Sequence, residues 1–87
     1  MIGVFDFIEA VILICCKHRG SVSSWGRTPK HNKDVGGVEG SIHMLWLGCD
    51  VVLDVMAKNL EFEKDCSKVG LVAIFEKDHY HLQAAGV

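Results

Sequence analysis

Between Gly26 and Gly40 the chain turns to glycine, proline, lysine, asparagine and aspartate. This stretch reads as a long loop with turn residues throughout. In a chain of 87 residues it leaves little for the core, and one domain spanning 1–87 is all that the length allows. Nearly half of the residues are hydrophobic, which is enough for a compact interior. A long loop in a small domain is either a functional element or a solvated connection, and composition leaves both readings open.

Before the loop, Asp6-Phe7-Ile8-Glu9 fits a capping box, with Asp6 as N-cap and Glu9 at N3. The helix would run to about Arg19, with Lys17, His18 and Arg19 at its negative end and Gly20 as the left-handed stop. Ile8, Val11, Ile12 and Cys15 form one stripe, and Leu13 and Ile14 widen it, so burial on more than one side is expected. Ser21 to Trp25 reads as a short strand. After the loop, Gly48 to Leu53 reads as a strand containing Asp50. Residues 59–69 read as a helix, with Asn59 as N-cap, Gly70 as stop, and Phe62, Cys66 and Val69 on one face. Glu61, Glu63, Lys64, Asp65 and Lys68 form its expected solvated face. Leu71 to Phe75 and His79 to Leu82 read as a hairpin around Glu76-Lys77-Asp78. The order predicts an α+β fold, a small, mostly antiparallel sheet with flanking helices.

The formal charge is −2, and the basic residues form no stripe, so nucleic-acid binding has no electrostatic footprint. Cys15, Cys16, Cys49 and Cys66 match neither a metal spacing nor a disulfide frame and read as free thiols in apolar surroundings. Val11 to Cys16 is apolar, but Asp6 and Glu9 precede it and it is far short of the roughly 20 residues that span a bilayer. Neither a signal peptide nor a membrane span is expected. Oligomeric state is not legible.

The residues with chemistry cluster late. His43 is followed seven positions on by Asp50, and then by Asp78-His79-Tyr80-His81. Imidazole nitrogens and one carboxylate are the donors of a catalytic zinc. No His-Glu-x-x-His helix and no Cys-x-x-Cys pair is present, so the fold itself would have to bring the ligands together. A metal-free reading of these residues stays open on spacing alone. On a strand, His79 and His81 share a face.

Ser41-Ile42-His43 with Asp50, followed by Asp-His-x-His, resembles the M15-type peptidoglycan peptidases of the D-Ala-D-Ala metallopeptidase and hedgehog-like zinc fold, in particular the phage-associated kind. Ser24-Trp25-Gly26-Arg27-Thr28-Pro29-Lys30-His31-Asn32 is similar to that family's Ser-Gly-Tyr-Arg-Thr/Ser-Pro-x-x-Asn stretch, and Gly36-Gly37-Val38 to its glycine-rich approach to the zinc histidine. The likeness runs from about Val22 to Gln83. It implies Zn2+ held by His43, Asp50 and His81, with Asp78 as general base. It also implies that Arg27 and His79 stabilise the oxyanion. Glu76 with His79 has the same spacing as Asp78 with His81 and forms the alternative base–ligand pair. The family pattern Ser-x-His-x-x-Gly-x-Ala-x-Asp is broken twice, by Trp46 for the glycine and Gly48 for the alanine. The implied activity is zinc-dependent hydrolysis of peptide bonds in peptidoglycan stem peptides, after release or delivery to the cell wall. The rivals are a non-catalytic zinc-binding module of the same fold and a metal-free interaction domain.

Overall fold

The computed structural model describes residues 2–26 and 46–86. Its elements in order are α1 (Val4–His18), β1 (Gly20–Ser24), β2 (Gly48–Leu53), α2 (Leu60–Lys68), β3 (Leu71–Phe75) and β4 (Tyr80–Ala84). The strands form one antiparallel sheet in the order β1-β2-β4-β3. This is the α+β arrangement that the element order predicts. Among the described residues no helix is long and apolar enough to cross a membrane.

Alternation decides the two faces of the sheet. Cys49, Val51 and Leu53 of β2, Tyr80, Leu82 and Ala84 of β4, and Leu71 of β3 are buried. They pack with Phe7, Ala10, Val11 and Ile14 of α1 and with Phe62 and Cys66 of α2. Each large apolar side chain removed from water there contributes about 1.5–3 kcal/mol. Asp50, Val52, Val72, Ile74, His81 and Gln83 occupy the alternate positions and project from the opposite, more open face.

The first helix departs from its expected frame. Gly3 is its N-cap, with the Phe7 N–H on the Gly3 carbonyl at 2.9 Å, and Asp6 lies in the first turn rather than capping it. Asp6 still meets the positive end of the helix dipole there. Phe7, Ala10, Val11 and Ile14 share one face and point to the core, and beginning at Val4 places Phe7 about a turn inside the helix. Ile12 and Leu13 are then more than half exposed, so the helix buries one side only. Its left-handed stop is Arg19 (φ 55°), not Gly20. Gly20 begins β1, where a Cβ would stand 2.9 Å from Val51 Cγ1, so close packing is what requires glycine.

The second helix follows its sequence signals. The Asn59 side chain accepts from the Phe62 N–H at 3.0 Å, and Gly70 turns the chain with φ 83°. One expectation fails on its solvated face. Asp65 is buried, because His18 of α1 reaches it at 2.8 Å and Lys17 at 2.9 Å. The four cysteines form no disulfide, and Cys16 is exposed rather than apolar-packed.

Candidate metal and proton-transfer site

Register brings the expected residues together. Asp50 of β2 lies directly opposite His81 of β4. The Ala84 N–H bonds the Leu47 carbonyl at 3.0 Å, which makes Leu47/Ala84 a hydrogen-bonded pair. By alternation Asp50/His81 is a non-hydrogen-bonded pair, the kind in which facing side chains stand closest. His79, two positions earlier, is the diagonal neighbour of Asp50.

The distances follow from that placement. Asp50 Oδ1 is 3.5 Å from His81 Nδ1 and 3.7 Å from His79 Nε2. Two donors on one tetrahedral zinc stand about 3.3 Å apart, given zinc bonds near 2.0–2.1 Å. The Asp50–His81 separation therefore suits a pair of zinc ligands. On its other nitrogen, His81 Nε2 is 3.0 Å from Gln83 Oε1. Donation from Nε2 to this oxygen would leave Nδ1, the nitrogen on the Asp50 side, as the one able to bind a metal.

His79 is held differently. Its Nδ1 is 2.6 Å from Asp78 Oδ1 and its Nε2 is 2.9 Å from Glu76 Oε2. Nδ1 is hydrogen-bonded to Asp78 and Nε2 is within ion-pair range of Glu76, surroundings that favour a protonated ring over a metal-binding one. Burial alone would lower the His79 pKa, but the Asp78 hydrogen bond and the charges of Asp50 and Glu76 outweigh it and set the pKa above its usual range. The same hydrogen bond lowers that of Asp78, whose carboxylate is otherwise well exposed. The turn carrying this set has Lys77 in the left-handed region, with φ 67°.

No family model, curated protein or solved structure matches the chain.

Of the residues singled out in the sequence, Asp50, Asp78, His79 and His81 are described and converge on one corner of the open face. His43, Arg27 and Ser41 lie outside the described residues. Among the described residues no three His, Cys, Asp or Glu side chains are arranged to hold a metal. Of the expected ligand set, Asp50 and His81 stand side by side, and His43 is not among the described residues. Sequence reading left the Gln83 contact to His81 unnoticed, and it paired Glu76 with His79 as base and ligand rather than as the direct contact seen here. Both residues lie within three positions of the histidine they hold, and same-face spacing on the strand would have pointed to Gln83.

Trp46 has φ 60°. The M15-like pattern carries glycine at this position, and the backbone here adopts a conformation that favours glycine. The indole of Trp46 lies against Gly26, and any Cβ on Gly26 would fall within the ring.

Proposed function

We propose that the chain is a small zinc peptidase of the M15-like, phage-associated kind, with the D-Ala-D-Ala metallopeptidase and hedgehog-like fold, cutting peptide bonds in peptidoglycan stem peptides. The observation that carries this reading is the cross-strand Asp50–His81 pair, with a separation that suits two ligands of one zinc. The left-handed backbone at Trp46 is a second support, because it is a conformation glycine favours, at the position where the family pattern has glycine.

His43, Asp50 and His81 would hold the ion. Zinc bound there would supply Lewis-acid polarisation of the scissile carbonyl and a water of lowered pKa. Asp78 is kept ionised by its bond to His79, which is the form a general base needs. It would take a proton from the attacking water and pass it to the leaving amine. His79, held toward its charged form, would place positive charge near the oxyanion, together with Arg27. The way Asp78 and Glu76 hold His79 favours His81 as ligand over the Glu76/His79 alternative. One observation favours the second reading, a non-catalytic zinc-binding module: Asp78 turns to His79 at 2.6 Å.

Metal analysis after zinc loading should find about one equivalent per chain, and mass spectrometry of treated peptidoglycan should find released peptides. Asp78→Asn should keep zinc and lose turnover, whereas His81→Ala should lose zinc. Well under one equivalent in the parent would end the zinc reading. Zinc binding without cleavage of any wall type would favour the non-catalytic module. Undiminished cleavage by Asp78→Asn would remove Asp78 as the base.

A further inference from the structure

The sheet has two outer strands, β1 and β3, and they are not alike. Three of the five residues of β1 are serine, and its pairing with β2 slips between Val22 and Ser24. Irregular register and polar residues are how natural sheets keep an edge from recruiting another strand. Strand β3 reads Leu-Val-Ala-Ile-Phe, with no charge, no proline and an unbroken register against β4.

The ladder phase shows what β3 presents. The Glu76 N–H donates to the His79 carbonyl and the Ala85 N–H to the Gly70 carbonyl, each at 2.9 Å. Antiparallel bonding alternates, so Gly70, Val72, Ile74 and Glu76 bond inward to β4. Leu71, Ala73 and Phe75 then direct their N–H and C=O groups out of the sheet edge. Among the described residues, nothing pairs with that row. The side chains of Val72 and Ile74, 39% and 42% exposed, border it on the open face.

We propose that this edge joins a second copy of the same chain, β3 against β3, antiparallel and centred on Ala73, to form one continuous sheet. The outward groups match themselves in that register: Ala73 pairs with Ala73, and Leu71 with Phe75, as hydrogen-bonded pairs. Val72 of one copy then faces Ile74 of the other at the close, non-hydrogen-bonded positions that suit β-branched pairs. Charge selects the antiparallel sense. Lys68 lies just before the strand, while Glu76 and Asp78 outnumber Lys77 just after it. Antiparallel pairing sets the basic end of one copy beside the acidic end of the other, and parallel pairing would set like ends together. A two-fold contact of this kind occupies both edges and closes on itself.

Sedimentation analysis of the full chain tests this, with Ala73→Pro and Val72→Lys as variants and far-ultraviolet dichroism as the check on folding. Proline at 73 removes only an outward N–H and so spares the bonds to β4. The expected result is a reversible monomer–dimer equilibrium whose dissociation constant rises by about tenfold or more in each folded variant. Should Ala73→Pro fail to fold, Val72→Lys decides alone. A parent that stays monomeric at high micromolar concentration overturns the proposal. So do folded variants that dimerise undiminished, or open-ended polymers in place of dimers.

Discussion

Asp65 shows how far a single side chain can depart from its sequence context. It stands among charged residues on α2, yet it is buried, with Lys17 at 2.9 Å, His18 at 2.8 Å and Lys68 at 3.9 Å. The Lys17 hydrogen bond, followed by that of His18, holds its carboxyl down at about 2, against an ordinary value of 3.8. The unfolded chain therefore takes up the proton first, and stability falls as the medium is acidified. The contribution of Asp65 is complete above pH 3.8 and is lost as pH falls through about 2. Asp65→Asn should lower the thermal midpoint near neutral pH and flatten its decline across that window. Parallel melting curves for parent and variant would show that the carboxylate does not carry this acid sensitivity. The sequence reading missed Asp65 because helical spacing reports only a residue's own helix, and His18 comes from another. Asp50 and His81 meet because alternation puts each on the open face and the β2–β4 register sets them opposite; the sequence carries the alternation but not the register.

At the level of elements, the two helices show when capping signals hold. Asn59 caps α2 through its side chain, and its backbone N–H is also held by the Tyr80 hydroxyl at 2.8 Å. Tyr80 in turn donates to Glu63 Oε2 at 2.7 Å, so the helix start is tied to β4 twice. Asn59→Ala removes only the side-chain cap and should cost about 1 kcal/mol in urea unfolding, with Asn59→Asp close to neutral. An alanine variant as stable as the parent would show that the Tyr80 contact alone fixes the helix start. In α1 the local signal at Asp6 lost to burial of Phe7, since a buried aromatic side chain outweighs one cap. The extent of the strands was more legible. Strand β2 has the predicted bounds, and β4 begins one residue after the expected His79.

For the whole molecule, the cysteines give a graded measure of openness. Burial, with further contributions from neighbouring thiols and carboxylates, pushes Cys49 and Cys66 up to about 12. Cys16 is exposed. A disulfide reagent should modify Cys16 rapidly in the folded protein, while Cys49 and Cys66 should react only at the rate of global opening. Fast labelling of Cys49 or Cys66 under native conditions would mean that the sheet and helices separate without full unfolding. The fold class was legible because helix and strand periods are local properties. The convergence of Asp50, Asp78, His79 and His81 depends on strand register and turn geometry, which periodicity does not carry, and Arg27 and His43 fall outside the described residues. The meeting of Trp46 with Gly26 has an optical consequence. The chain has two tryptophans, and they stand at the two ends of residues 27–45. Trp25 packs edge-on against Phe7 at 5.9 Å with its indole N–H buried, whereas Trp46 is half exposed. Intrinsic fluorescence therefore pairs a blue emitter with a red one at a single junction, giving the protein a built-in spectroscopic reporter of whether that junction is closed.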